Sequence, residues 1–210
     1  MYRLYGTERS GSAAIEMALA RCQADYRLEN ASSWQEGSGS EALKALNPLM
    51  QIPTLLLADG AVLTESAAIL IYLGLEYPLS GLLSNDADLR AQQIRGLIFI
   101  SSNCYAAIGV IDYPERWLAA AHDTALSALK TGATQRLHQQ WETFSDIFSA
   151  TAAWRPDDPG ALEMLACVVT RWSATRRELQ QTRPEFYAAL TRIDRHPTLT
   201  AVLQRHWPAA

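Results

Sequence analysis

The stretch from Asn47 to Leu73, NPLMQIPTLLLADGAVLTESAAILIYL, sets the terms for any fold this chain adopts. Thr54 to Leu57 and Val62 to Thr64 are short apolar runs, with Ala58-Asp59-Gly60-Ala61 between them. An Asp-Gly pair between apolar runs is a strong hairpin signal, because glycine accepts the positive φ of a tight turn. Pro53 stands just before the first run, where its missing N–H does least harm to a ladder. Thr64-Glu65-Ser66 then places capping hydroxyls and a carboxylate ahead of an apolar helical run, Ala67 to Leu75. A turn, a strand-start proline and a helix cap account for the pieces singly. In this order they also set a proline peptide at a strand edge beside polar residues at a helix N-terminus. That combination can hold an anionic, peptide-like ligand.

Upstream, Tyr2-Arg3-Leu4-Tyr5 alternates as a strand does, and Gly6 to Ser12 is a loop of turn residues. Ala13 to Arg21 is helical, with Ile15, Met17, Ala18 and Leu19 on its apolar face, and Tyr26 to Leu28 is a second strand. Strand, helix and strand at this spacing imply a right-handed crossover and parallel strands. Ser38 with Glu41 fits a capping box for a short helix through Leu46. The first domain, residues 1–77, is therefore βαβαββα: a small mixed sheet with helices on both faces. Residues 78–88, rich in Pro, Gly, Ser, Asn and Asp, form a linker. Residues 89–210 form an all-helical bundle. Its expected helices begin at Leu89, run over Arg116 to Leu129, Ala133 to Ala152 and Ala161 to Trp172, and close with Pro184 to Ile193 and Pro197 to His206. The cluster Arg171, Arg176 and Arg177, interleaved with Trp172 and Glu178, has the pattern of a solvated helix face.

Composition narrows the function. A hydrophobic fraction of 49% with 19% charged residues is that of a globular protein, and a net charge of −4 gives no reason to expect a nucleic-acid partner. No apolar run approaches the roughly 20 residues needed to cross a bilayer, and the N-terminus lacks a signal-peptide pattern. Cys22, Cys104 and Cys167 are odd in number and in no metal-ligand spacing, so they are expected as free thiols in a reducing, cytoplasmic setting without a metal.

Three segments carry a family resemblance: LYGTERSGS from Leu4, LNPLMQIPTL from Leu46 and LTESAAILIYL from Leu63. The last two, at this separation, are a high-specificity signature, and Tyr113-Pro114-Glu115-Arg116-Trp117 adds a segment common in bacterial members. The chain resembles a bacterial cytosolic glutathione transferase of serine type over nearly its whole length. The resemblance implies an α/β thioredoxin-like N-terminal domain, an all-α C-terminal bundle and glutathione as co-substrate. It also implies a small apolar electrophile as second substrate, and a homodimer. It implies that Pro53 is cis and turns the Ile52 backbone toward the cysteinyl part of glutathione. Glu65 and Ser66 would receive the γ-glutamyl end, with Gln51 as an additional contact. Family members activate the sulfur with Tyr, Ser or Cys near the end of the first strand. Here Ser10 ranks first and Ser12 second, whose plain alternative is the N-cap of the first helix. Tyr5 is third, with a place in the core as its plain alternative. Asn103, Tyr105 and Tyr113 are positional candidates for contact with the electrophile.

Two departures from the family pattern stand out. The Ser/Thr-x-x-Asp box expected at the central helix of the second domain is replaced by Gly160-Ala-Leu-Glu163, leaving Asp157, Asp158 or Gly160 as caps. No Lys or His follows the second strand to hold the glycyl carboxylate, which leaves Trp34, Gln35 or a main-chain donor. The alternatives to a transferase are a non-catalytic binding module and a glutathione-dependent isomerase or peroxidase on the same fold.

Overall fold

A computed structural model describes residues 1–34, 39–119 and 122–208. Four strands pair in the order β2-β1-β3-β4: β1 (Tyr2–Gly6), β2 (Tyr26–Asn30), β3 (Thr54–Leu56) and β4 (Val62–Leu63). β1 and β2 are parallel, while β3 is antiparallel to both β1 and β4. α1 (Ser12–Arg21) makes the crossover, α2 (Ser40–Leu46) precedes the hairpin and α3 (Ser66–Glu76) comes after it. Gly60 in the hairpin turn has φ +91°, and the Asp59 carboxylate accepts from Ala61 N–H at 3.0 Å. The Asp-Gly signal thus works through a left-handed residue and a side-chain clamp. Helices lie on both faces of the sheet. Leu4 and Leu55 join α1 and α3 in the main core, and Tyr5 packs with Ala31 and Leu43 in a smaller one. Tyr5 is accordingly core. The expected capping box of α2 rests on Ser38, which lies outside the described residues; Gly39 is the N-cap, and it has no side-chain bond.

The second half is helical: α4 (Ala87–Phe99), α5 (Ala106–Asp112), α6 (Asp123–Phe148), α7 (Ala161–Val169), α8 (Thr175–Thr182), α9 (Pro184–Asp194) and α10 (Pro197–His206). A π-helical turn, Ile100–Tyr105, joins α4 to α5 without a break. The continuous helix Ala87–Asp112 revises one sequence expectation. By length and mean hydropathy, 1.5 over 18 residues, it is long and apolar enough to cross a membrane. One side of it, with Leu97, Ile100, Cys104, Ala107 and Ile108, is buried in the core, while Ile98 on another side is 49% exposed.

Two further expectations change. No helix starts at Arg116; Pro114–Arg116 is a 3-10 turn, and one helix of 26 residues, α6, runs from Asp123 through Gly132 to Phe148. An exposed glycine inside a helix costs only about 1 kcal/mol relative to alanine, too little to break so long an element. Of the arginines after α7, Arg177 is exposed as expected, but Arg171 and Arg176 are not part of a solvated face. Arg171 and Arg176 both reach Asp194 of α9 at 2.6 Å, and the Arg176 side chain is only 18% exposed.

α7 is the buried centre of the bundle, packed on α1, α3 and α4. The missing aspartate at its start is replaced by Glu163. Oε2 accepts from Gly160 N–H at 2.9 Å and Oε1 from Arg155 N–H at 2.7 Å, so one carboxylate closes both the helix start and the loop before it. Asp157 and Asp158 serve elsewhere, pairing with Arg192 and with Arg21 and Arg155.

The linker is locked to both halves. Leu82 and Leu83 are buried, Leu82 C=O accepts from Ala161 N–H at 2.9 Å, and Ser80 C=O accepts from Arg21 Nε at 2.7 Å. A second tie joins the halves from the middle of α1. Glu16, 1% exposed, accepts from Tyr26 Oη at 3.1 Å, lies 2.7 Å from His206 Nε2 and pairs with Arg205.

Candidate functional site

The edge of the sheet is shaped by Asn47. Its Nδ2 donates to Gln51 C=O at 3.0 Å and to Thr54 Oγ1 at 3.1 Å, while its Oδ1 accepts from Leu49 N–H at 3.1 Å. These bonds close the turn 47–54, in which Met50 has φ +55° and the Ile52–Pro53 peptide is cis. The ladder between β1 and β3 ends at Tyr5 opposite Thr54, so the main chain of Ile52 lies beyond the sheet. The hairpin then brings α3 alongside. Glu65 is its N-cap, with φ +63°, and no side chain caps the helix. Ser66 is the first helical residue rather than a cap, which leaves its hydroxyl aimed elsewhere. A non-glycine residue held at positive φ at this point is strain concentrated where polar groups converge.

On the other side of Pro53 stands the loop between β1 and α1. Gly6 ends β1 where a Cβ would lie 2.3 Å from Ser12 Cβ, so only glycine lets the helix start this close to the strand. Ser10 Oγ donates to Thr7 C=O at 2.7 Å, sits 2.7 Å from Ser12 Oγ and accepts from Ser12 N–H at 3.2 Å. Ser12 Oγ is 3.2 Å from the same Thr7 carbonyl. Gly11, not Ser12, is the N-cap of α1, with no side-chain bond.

These segments form one wall of a cleft of about 1160 Å³ between the sheet domain and the bundle. Ser10, Gln51, Ile52, Pro53, Glu65 and Ser66 all line it. Tyr105 and Tyr113 face them from the helical side. Ser12 and Asn103 do not line it. Ser12 is fully buried under Ser10. Asn103 sits within the π turn, where its Nδ2 donates to Phe99 C=O at 3.0 Å, and it lines a separate cavity against α6. Residues two apart point to nearly opposite sides of a helix, about 200° apart, so only one of Asn103 and Tyr105 can face the cleft. Of the two side chains weighed for the glycyl carboxylate, Trp34 lines the cleft and Gln35 lies outside the described residues.

Several lining residues were not singled out from the sequence. Trp172 donates its Nε1–H to Arg9 C=O at 3.2 Å and packs edge-on to Tyr105, ring centroids 5.8 Å apart. Arg116 lies over the Tyr113 ring at 3.8 Å, and Asp112 sits close by on the cleft wall, its carboxyl pushed up by burial with Lys130 opposing. Tyr105 Oη is 3.5 Å from Ser66 Oγ, and burial pushes the phenol up to about 12. Arg116 and Trp117, both in the segment Tyr113-Pro114-Glu115-Arg116-Trp117, were the lining residues here with a sequence signal.

Residues 12–75 match the family model described as "Glutathione S-transferase, N-terminal domain". The GST-like protein YncG of Escherichia coli (strain K12) is 26% identical over 98% of both chains. The maleylacetoacetate isomerase of Pseudomonas aeruginosa is 35% identical over 94 residues, 43% of this chain and 44% of its own. Among solved structures, a glutathione transferase from Methylococcus capsulatus superposes with a TM-score of 0.78 at 26% identity over 98% of each chain. A sphingomonad glutathione S-transferase complexed with glutathione shares the fold, with a TM-score of 0.78 at 20% identity over 99% of this chain and 100% of its own. The motif-bearing segment matches the domain model, and likenesses at 26% identity run the length of the chain and of its relatives. Residues 12–75 therefore match a glutathione S-transferase N-terminal domain, and the whole chain is similar in sequence and fold to glutathione transferases.

Proposed function

We propose that the protein conjugates glutathione thiolate to an apolar electrophilic substrate. The observation that carries this reading is the convergence of Ser10, Ile52-Pro53, Glu65 and Ser66 on one wall of a single cleft whose other wall is aromatic. Residues 1–77 would hold glutathione and residues 89–210 the electrophile. Ser66 and the first N–H groups of α3, which no helix satisfies internally, suit the γ-glutamyl carboxylate. Exposed Glu65 suits the ammonium. The Ile52 main chain, beyond the end of the ladder, suits the cysteinyl peptide, with Gln51 and Trp34 toward the glycyl end. Tyr113, Ile108 and Trp117 offer the electrophile an apolar and aromatic face. Among the two serines, Ser10 is the one positioned to approach sulfur. The working unit is taken as a cytoplasmic homodimer, from the family resemblance.

The chemical task is to ionise the thiol. A free thiol has a pKa near 8.5, so only about a few per cent is thiolate at pH 7; hydrogen bonds to S⁻ raise that fraction. Calorimetric titration with glutathione and then a steady-state assay with a chloronitrobenzene test the reading. Heat of binding and a steady rate of conjugate formation are expected. Binding without turnover would make this a non-catalytic module, and no binding would overturn every glutathione-dependent reading.

A second reading is a glutathione-dependent isomerase. It is favoured by the likeness of this chain to two proteins named as maleylacetoacetate isomerases, one at 38% identity over 89 residues and one at 35% over 94. In that case a cis-alkene acid would be returned as its trans isomer with glutathione unconsumed, which product analysis separates from conjugation.

A further inference from the structure

The loop serines have little to donate. Ser10 and Ser12 carry one O–H each, and within the loop each has an acceptor in hand: the Thr7 carbonyl for one and the neighbouring hydroxyl for the other, at 2.7 to 3.2 Å. Either way of arranging the two protons commits both. A serine that turns toward a sulfur first breaks a good bond in a buried place.

Tyr105 is in the opposite condition. It ends the π turn, and its phenol crosses from the bundle to the glutathione wall. Among the described residues its one hydrogen-bond contact, Ser66 Oγ at 3.5 Å, is at the outer limit of such a bond. A Cβ placed on Gly11 would lie 2.7 Å from Tyr105 Oη, 3.4 Å from Pro53 Cδ and 3.4 Å from Ser66 Oγ. The phenol oxygen thus meets the serine loop, the cis-proline turn and the start of α3 in one small space, open only because residue 11 has no side chain. Its direction is held by the edge-on contact with Trp172, itself tied to Arg9 C=O. Burial pushes its pKa to about 12, so the O–H keeps its proton at neutral pH.

We propose that Tyr105 is a further catalytic residue whose phenol O–H donates a hydrogen bond to the sulfur of bound glutathione. This rests on the reading under Proposed function. The S–H bond breaks with its proton passing to water. The phenol stays protonated and stabilises the thiolate. A sulfur lone pair then forms the C–S bond, and with an aryl halide the carbon–halogen bond breaks with its electron pair leaving as halide. Tyr105 is unchanged at the end.

The test is thiolate absorbance against pH for glutathione bound to the parent, to Tyr105→Phe and to Ser10→Ala, with S-methylglutathione affinity measured in parallel. Tyr105→Phe keeps the ring against Trp172. It is expected to raise the bound thiol pKa by about one to two units, a roughly ten- to hundred-fold loss of thiolate at a fixed pH below that value. S-methylglutathione, which has no thiolate to stabilise, should bind the variant as it binds the parent. Ser10→Ala is expected to move the pKa less. A Tyr105→Phe titration that overlays the parent's overturns the proposal and leaves the transferase reading standing. Equal losses of glutathione and S-methylglutathione affinity reduce Tyr105 to a shape role and also overturn it. A parent that binds neither ligand overturns both. Site-specific 3-fluorotyrosine at position 105 tests the same point without loss of the side chain. A more acidic phenol is a stronger donor, so the thiol pKa should fall below the parent's, and a rise or no change counts against the proposal.

Discussion

Glu163 is a fully buried carboxylate whose two oxygens accept from Gly160 and Arg155 N–H at 2.9 and 2.7 Å. Truncation by Glu163→Ala leaves two buried backbone donors without partners, at about 1–3 kcal/mol each, so a loss of about 2–6 kcal/mol is expected before any cavity is counted. That is a large part of the roughly 5–15 kcal/mol that holds a domain folded. Glu163→Gln keeps the shape. Its carbonyl satisfies one N–H, but its NH2 group faces the other, and a loss of about 1–3 kcal/mol is expected. The pH dependence separates the forces. Burial raises the Glu163 carboxyl above its ordinary value of 4.5, while the backbone donors pull the other way. A raised native pKa means the folded state holds the proton longer than the unfolded state. The group's contribution is therefore complete below the unfolded pKa and is lost as pH rises through the folded one. The stability gap between parent and Glu163→Gln should be widest in acid and narrow toward neutrality. Urea titrations of both proteins across that range, compared at unchanged slope, measure it. A gap that widens with rising pH would mean that the two N–H bonds outweigh burial, and the reasoning would be refuted.

Three further outcomes are expected. Gly11→Ala suits the backbone, with φ −60° and ψ −17°, but its Cβ would lie 2.7 Å from Tyr105 Oη, so a stability loss of no more than about 1–3 kcal/mol is expected while turnover falls at least about tenfold; thermal melts and rates read the two effects separately. Glu16→Ala removes the acceptor shared by Tyr26, His206 and Arg205 and should cost about 3–5 kcal/mol in denaturant unfolding; a loss below about 1 kcal/mol would show that this tie between α1 and α10 is dispensable. Sedimentation equilibrium should give twice the 23.2 kDa of one chain; a single-chain mass over a wide concentration range would remove the homodimer.

What the sequence made legible is what local chemistry decides. The Asp59-Gly60 turn, the strands beside it, the crossover through α1 and the proline-started helices α9 and α10 depend on residues close in the chain. So does the placement of the candidate residues Ser10, Ile52, Pro53, Glu65 and Ser66 along one cleft, since they neighbour those signals. What escaped depends on distant partners or on the side of a helix that a residue takes. Arg171 and Arg176 read as solvated until Asp194 folds back on them from α9. Asn103 and Tyr105, named together by position, fall on different sides of the helix, and only Tyr105 reaches the cleft. The break expected within α6 fails because Gly132 is exposed and the apolar stripe resumes beyond it. Glu163 was visible three residues after Gly160, but a pattern written for aspartate passed over a longer carboxylate with a second donor in reach.

The two-walled cleft also explains why the linker is so firmly tied. A phenol on the bundle can meet a serine on α3 only if the halves do not slide, since a hydrogen bond at 3.5 Å is already near its limit. The ties stand at the middle and the C-terminal end of α1. Arg21 at its C-terminal end bonds Ser80 C=O and pairs with Asp158, and Glu16 joins α10. Between them Leu83 fills the space beside Gly74, where a Cβ would lie 2.5 Å from its Cγ. α1 starts at the Ser10-Gly11 loop, so the helix that fixes the two halves also fixes that loop. Disturbing a tie far from the cleft should then change the geometry between Gly11, Ser66 and Tyr105 as well as stability. The Glu16→Ala protein can decide this: a bound-thiol pKa moved toward that of free glutathione, in protein still folded, would show the tie acting on the site, whereas an unmoved value would confine it to stability.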